Sequence, residues 1–342
     1  MRKRTAWRTI CARLSRLAIL LSLTPLAAAQ ESDHFTVRFE MSSIEKIYKD
    51  PQWVIDNHDK FSKEDVAYRL ADAWHEGSGY PKDPEYWMEQ MEGLATKTMT
   101  ERLEDPGYRL AKGLYESSDL FREKAIAHVE SFLPNLDKIH EETSIFITAF
   151  TVPYSFMSQG HSVIDATSPY WKGDLNFTLN DTTHELFHVG YARNHEYRKE
   201  AALESDLKNS LVEQLQNEGI ATYVGYTIQS VFPCDSPDHS MMDDPDALKE
   251  RIAMVNNIFG GVDSRSSDET EKISWNDGVM ARAYYVSGGH MARTIDQKLG
   301  REALKKTIDQ GPEFFIQTYN SLVPPEAQIV RIAGSYAEPS SQ

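Results

Sequence analysis

Residues 184–188 read His184-Glu185-Leu186-Phe187-His188, an H-E-x-x-H motif that predicts a helix. Residues four apart on a helix share one face, so both imidazoles can reach a single metal ion. Glu185 then lies beside that ion, where it can accept a proton from an attacking water. Because imidazole is a preferred ligand of Zn²⁺, the motif predicts a catalytic zinc site with three protein ligands and one open position.

The residues before the motif predict a strand and a turn. Residues 173–179 alternate polar and apolar side chains, which is typical of a half-buried strand. Residues 180–183 are good helix starters, so we expect the helix to begin there. A second strand is predicted over residues 144–151, which are β-branched and aromatic. Because H-E-x-x-H also occurs by chance, a solvated helix face with two histidines remains an alternative.

Glu218 is the candidate for the third metal ligand. In a helical reading, Leu211, Leu215, Glu218 and Thr222 fall on one apolar stripe. An unpaired carboxylate in such a stripe is costly, and a metal ion would compensate for its charge. The alternative is a glutamate that reaches solvent or pairs with a base, since glutamate is usually exposed.

These motifs together resemble a known group of enzymes. H-E-x-x-H followed by a helix with Glu218-Gly219 resembles the gluzincin metallopeptidases. Tyr285-Val286-Ser287-Gly288 is similar to the Tyr-x-x-Gly helix of the alanyl-type aminopeptidases. The likeness to gluzincins covers residues 170–320. The whole chain after the N-terminal segment looks most like a bacterial family of secreted zinc-dependent peptidases.

The resemblance implies a role for each matching residue. His184, His188 and Glu218 would be the ligands of Zn²⁺, Glu185 the general base, and Tyr285 the hydroxyl donor to the oxyanion. It also implies a peptide or protein substrate. The implied fold is α+β and predominantly α-helical, with a small sheet packed against the H-E-x-x-H helix.

The sequence departs from these families at several points. Tyr285 could instead be a core aromatic residue, and His290 could take its role. Thr222 stands where a thermolysin-like enzyme has an aspartate, so the residue that orients a ligand histidine is unassigned. No Gly-x-Met-Glu-Asn string is present, so aminopeptidase activity does not follow. The resemblance also implies that the strand predicted at 173–179 lines the cleft and pairs with an extended substrate.

The N-terminal segment predicts export of the protein. Residues 1–29 contain six basic residues and no acid, and they end in an apolar stretch, which is typical of a secretory signal peptide. The alternative is an uncleaved membrane anchor, although the apolar stretch is short for a bilayer. We therefore expect a secreted or periplasmic bacterial protein. No other long apolar run occurs, so no membrane segment is expected in the mature chain.

The composition narrows the class of protein. The chain has 342 residues, with 36 basic and 52 acidic residues and a net charge of −16. Loss of the predicted signal peptide would make the net charge −22. A nucleic-acid-binding protein normally carries a basic surface, so we expect no nucleic-acid partner. Two cysteines exclude a disulfide scaffold.

Beyond the predicted signal peptide, we expect three regions. They are a helical N-terminal region over 30–148, a zinc peptidase core over 149–335 and a short C-terminal tail over 336–342. Two other functions remain open: a catalytically inactive zinc-binding module that acts in recognition, and a zinc amidase that acts on cell-wall peptides. The sequence does not indicate the oligomeric state.

Overall fold

The structure is a computed structural model that describes residues 32–78, 82–152, 154–199, 207–333 and 335. The predicted signal peptide and the predicted C-terminal tail lie outside these residues. The described residues form an α+β fold that is predominantly helical, which confirms the predicted fold class. Among them, no helix is both long enough and apolar enough to cross a membrane.

A four-stranded mixed sheet forms the β part of the fold. Its strands are β1 (Phe35–Glu40), β2 (Glu141–Thr148), β3 (Ser155–Ser158) and β4 (His161–Asp165). Their order across the sheet is β1-β2-β4-β3, in which β1, β2 and β4 are parallel and β3 is antiparallel to β4. The strand predicted over 144–151 is confirmed in part, because β2 begins three residues earlier and ends at Thr148. The outer strands of the sheet are therefore β1 and β3.

The segment between β1 and β2 is helical, as the sequence predicts. Pro51, Pro84 and Pro106 each begin a helix, where a missing backbone N–H costs no hydrogen bond. The helices are α1 (Ser42–Lys49), α2 (Pro51–Asp56), α3 (His58–Glu64), α4 (Val66–Ser78), α5 (Pro84–Ala95), α6 (Met99–Leu103), α7 (Pro106–Glu116), α8 (Ser118–Phe121) and α9 (Ala127–Glu130).

Longer helices follow the sheet and include those that carry the motifs. They are α10 (Leu175–Lys199), α11 (Leu207–Thr227), α12 (Pro237–Asp243), α13 (Pro245–Gly261), α14 (Ser267–Ile273), α15 (Ala283–Leu299), α16 (Arg301–Gln310) and α17 (Pro312–Asn320). A π-helix over Ser274–Met280 follows α14 directly.

The strand predicted over 173–179 is wrong, because α10 begins at Leu175 and runs through these residues. The Asp174 carboxylate accepts the backbone N–H of Phe177 at 3.0 Å and so caps the helix. The Thr178 hydroxyl donates to the Asp174 carbonyl at 2.8 Å, which satisfies a polar group that the sequence pattern placed on an exposed face. Thr178 and Leu179 are both buried, so the polar–apolar alternation did not report exposure.

The sheet packs against α10, which carries the H-E-x-x-H motif. Buried residues of β1, β2 and α10 belong to one hydrophobic core that also includes α11 and α15, whereas Phe156 of β3 and Val163 of β4 belong to a smaller cluster with α4. β1 and β2 end at or before residue 148 and β3 and β4 begin after it, so the boundary predicted there falls inside the sheet. The division into two regions stays a prediction.

Helices α11 and α15 approach each other closely at two glycines. A β-carbon on Gly219 would lie 2.3 Å from the α-carbon of Gly288, and one on Gly288 would lie 2.3 Å from the Leu215 carbonyl oxygen. Only glycine allows backbones to come this near. Gly219 directly follows Glu218, and Gly288 is three residues after Tyr285, so the crossing sets the distance between these two candidate site residues.

We expect Gly288→Ala to destabilise the protein by about 1–3 kcal/mol, because the added methyl group meets backbone atoms that cannot rotate away. Gly260→Ala is the matched control, since a β-carbon on Gly260 would have nothing within 4 Å. That substitution should be neutral or stabilising by up to about 1 kcal/mol. Urea unfolding of both variants measures the difference. Equal stability of the two variants would contradict the close helix crossing.

Candidate metal centre

Two helices bring together three side chains that could bind a metal. His184 and His188 lie one turn apart on α10, and Glu218 reaches them from α11. The Nε2 atoms of the two histidines are 3.0 Å apart. The Glu218 Oε2 atom lies 3.3 Å from His184 Nε2 and 3.4 Å from His188 Nε2. The three ligand candidates of the sequence therefore form one cluster.

The spacing of these three atoms fits a zinc ion. A tetrahedral zinc with ligand atoms at about 2.0–2.1 Å holds those atoms about 3.3 Å apart. The three distances of 3.0, 3.3 and 3.4 Å are close to this value. The side chains are 11%, 12% and 23% exposed, so the cluster is largely shielded from bulk water but not closed. Two imidazoles, one carboxylate and an open side are the donor set of a catalytic zinc site.

The electrostatics of the cluster favour a positive charge at its centre. Burial alone would lower the pKa of His188, but the Glu218 carboxylate raises it to about 9. Burial alone would raise the pKa of Glu218, but His188 and His184 hold it well below its usual range. The buried carboxylate is thus compensated by a proton on imidazole in the metal-free protein. A metal cation could take the place of that proton.

Asn217 orients one of the candidate ligands. The His188 Nδ1 atom lies 2.8 Å from the Asn217 Oδ1 atom. Because an amide oxygen only accepts, His188 donates its Nδ1–H to Asn217, so its Nε2 atom faces the cluster and can bind a metal ion once it loses its proton. Partners of this kind fix the tautomer and the ring plane of metal-binding histidines. Thr222, the position compared with the thermolysin-like aspartate, instead donates to the Glu218 carbonyl at 2.8 Å.

We expect Asn217→Leu to weaken zinc binding about 10–100-fold, the usual effect of removing a hydrogen-bond partner of a ligand. Leucine has a similar volume but leaves the His188 Nδ1–H without an acceptor. Competition with a chromogenic chelator measures the affinity. Asn217→Asp keeps an acceptor and serves as the control, with affinity equal to or above that of the wild type. Unchanged affinity in Asn217→Leu would show that this contact does not orient His188.

Glu185, the candidate general base, is buried beside the cluster and lines the cleft that opens onto it. The Ser155 hydroxyl on β3 lies 3.2 Å from its Oε1 atom and also contacts the Asp181 carboxylate. Burial raises the pKa of Glu185 to about 7, although the charges of His188 and His184 oppose this effect. A carboxylate with a pKa near the working pH can both accept and return a proton.

Tyr285 lies at the cluster and His290 does not. The Tyr285 ring is nearly parallel to the His184 ring, at 13°, with the centroids 6.0 Å apart. Burial raises the pKa of Tyr285 well above its usual range, so the hydroxyl keeps the proton that it would donate. His290 instead contacts the Tyr319 ring and does not line the cleft. The geometry therefore favours Tyr285 over His290 as the oxyanion donor.

A cleft of about 1290 Å³ opens onto the cluster. This exceeds the volume of roughly 300–1,000 Å³ that is usual for small-molecule sites, so the cleft can accept a polypeptide segment. The edge strand β3 and the turn after it line one wall. Trp74, Trp275 and Met280 add apolar surface to the lining. The strand that lines the cleft is therefore β3, and not the strand that was predicted over 173–179.

Sequence reasoning missed the residues that support the cluster. Asn217 directly precedes Glu218, and Asp181 lies one helical turn before Glu185, so inspection of neighbouring positions could have found both. Ser155 gave no such signal, because it lies thirty residues from Glu185 in the chain and on a strand.

Comparison with known proteins identifies one related family. The sequence profile of the family described as "Putative zinc dependent peptidase (DUF5700)" matches residues 108–324, which include the whole cluster and Tyr285. Members of this family are described as zinc dependent, in agreement with a His-His-Glu cluster that could bind a metal. No curated protein and no solved structure matches the chain.

Proposed function

Because the chain belongs to the family described as "Putative zinc dependent peptidase", we propose that it is a metallopeptidase of the gluzincin type that hydrolyses peptide bonds. One observation carries this proposal: a carboxylate suited to proton transfer, Glu185, adjoins a triangle of ligand atoms with the spacing of a zinc site. Both open onto a cleft large enough for a peptide.

In the proposed reaction, His184, His188 and Glu218 would hold the zinc ion. Zinc, when bound, supplies Lewis-acid polarisation of the scissile carbonyl and lowers the pKa of the attacking water. Glu185 accepts the proton of that water and returns it to the leaving nitrogen. The Tyr285 hydroxyl donates a hydrogen bond to the developing oxyanion.

The edge strand β3 supports an extended peptide as the substrate. Its antiparallel partner β4 occupies one side, and β3 is the last strand of the sheet in the described part of the chain. No described strand pairs with its other edge, and β3 lines the cleft, where it would pair with the backbone of a bound peptide. Backbone pairing gives affinity for peptides of many sequences, and the side chains that line the cleft would select among these peptides.

We also propose that the protein acts outside the cytoplasm, either secreted or in the periplasm. The support is the basic and apolar composition of residues 1–29. N-terminal sequencing of the protein recovered from the medium or the periplasm tests this proposal. An intact Met1 on the exported protein would contradict removal of a signal peptide.

The test of the proposed activity is a peptide-library digest with purified full-length protein of measured zinc content. We expect one zinc per chain, and we expect hydrolysis that a chelator abolishes and added zinc restores. Zinc bound without hydrolysis of any peptide would instead support the inactive recognition module. Hydrolysis confined to cell-wall peptides would support the amidase.

A further inference from the structure

Arg282 holds a strained position at the edge of the candidate metal centre. It immediately precedes α15, and its φ of +63° places the backbone in the left-handed region. A non-glycine residue seldom adopts this conformation, and such residues concentrate at functional sites. The Arg282 side chain is 28% exposed and lines the cleft, three residues before Tyr285 in the sequence.

A buried carboxylate fixes the plane of the Arg282 guanidinium. Its Nε atom lies 3.1 Å from both carboxylate oxygens of Asp238 on α12, and its Nη2 atom lies 2.6 Å from Asp238 Oδ2. The Asp238 side chain is only 8% exposed. A planar guanidinium bound at two atoms cannot rotate freely, whereas a lysine ammonium in the same place could.

The fixed guanidinium lies directly on the Tyr285 ring. The Arg282 Cζ atom is 3.2 Å from the centroid of that ring. A cation over an aromatic face is attracted to the ring, and a planar guanidinium can also stack parallel to the ring plane. Since the Tyr285 ring is also nearly parallel to the ring of His184, it has two planar neighbours that restrict its orientation.

We propose that Arg282, held by Asp238, is a positioning residue that fixes the Tyr285 ring so that its hydroxyl serves the metal centre. The expected effect on kcat rests on the proposed function. The orientation of the Tyr285 ring by Arg282 does not depend on that function. The competing role is direct substrate binding, because the Arg282 Nη1 atom makes no hydrogen bond within the described residues.

A double-mutant cycle separates the two roles. Tyr285→Phe removes the hydroxyl and should lower kcat by about 10²–10³, as for the loss of one oxyanion donor. Arg282→Met should lower kcat at least about tenfold with little change in KM, because the interaction matters only in the transition state. If Arg282 acts through the hydroxyl, the double variant should be no slower than Tyr285→Phe. The proposal would be overturned if the fold-loss of kcat in the double variant equalled the product of the two single-variant losses. It would also be overturned if Arg282→Met raised KM and left kcat unchanged.

A second measurement needs neither zinc nor activity. With 3-fluorotyrosine at position 285 of the metal-free full-length protein, the fluorine resonance should be sharp in the wild type. In Arg282→Met it should be broadened or split, because the ring samples several orientations. Should Arg282→Met fail to fold, Arg282→Lys replaces it, with the same expected result. An unchanged resonance in the variant would overturn the positioning role, even if the protein proves not to be a peptidase.

Arg293→Met is the matched control for both measurements. Arg293 lies on α15, the helix that follows Arg282, pairs with Asp243 at 2.5 Å and lies 5.4 Å from the centroid of the Tyr226 ring. It does not line the cleft. Its loss should leave kcat and the Tyr285 resonance unchanged. If Arg293→Met had the same effect as Arg282→Met, loss of either arginine would disturb the site through a general change in the fold. That result would overturn the specific role of Arg282.

Discussion

Replacement of Glu185 by glutamine is expected to lower kcat for peptide hydrolysis by about 10³–10⁴, within the range that general acid–base catalysis usually contributes. Glutamine has nearly the same shape and can still accept a hydrogen bond from Ser155, whose hydroxyl lies 3.2 Å from the Glu185 carboxylate. It cannot accept the proton of the attacking water. The zinc content should not change, because Glu185 is not one of the three clustered ligand candidates.

The measurement is steady-state hydrolysis of the best library peptide, with zinc determined on the same sample. Glu269→Gln is the matched control, because Glu269 is exposed and lies outside both the cleft lining and the ligand cluster. Its rate should equal that of the wild type. A Glu185→Gln variant as fast as the wild type would rule out this residue as the general base.

Replacement of His188 by alanine is expected to remove zinc and to abolish hydrolysis. A catalytic zinc site keeps three protein ligands, and this variant has two. In addition, Glu218 loses one of the two histidines that hold its pKa low, and a buried carboxylate with less compensation is costly. The metal-free variant should therefore also be less stable than the metal-free wild type.

Elemental analysis after dialysis, together with thermal unfolding, tests this expectation. His140→Ala removes an exposed imidazole outside the ligand cluster and is the control, with full zinc content and activity. Zinc bound by His188→Ala as tightly as by the wild type would mean that the ion lies elsewhere. In that case the proposed site would be wrong, whatever the activity.

Helices were easier to predict than strands in this protein. The helical segment before β2 followed from periodicity and from prolines, and most of β2 followed from β-branched and aromatic residues. The strand over 173–179 was wrong, because the first turns of α10 are buried on more than one face. A pattern of alternating polarity reports exposure only where polar groups meet water. Here threonine hydroxyls bond to the carbonyl groups of their own helix.

The sequence by itself determined the candidate residues: an H-E-x-x-H motif, a glutamate in an apolar stripe and a tyrosine three residues before a glycine in a helical segment. Helical spacing makes such residues neighbours on one face, so local rules were sufficient to select them. Only the tertiary structure decided how the separate segments meet. The Gly219–Gly288 crossing, the Asn217 contact with His188, the edge position of β3 and the Asp238–Arg282–Tyr285 contacts join elements that are distant in the chain. Such contacts depend on packing between surfaces, and no local periodicity records which surfaces will pack.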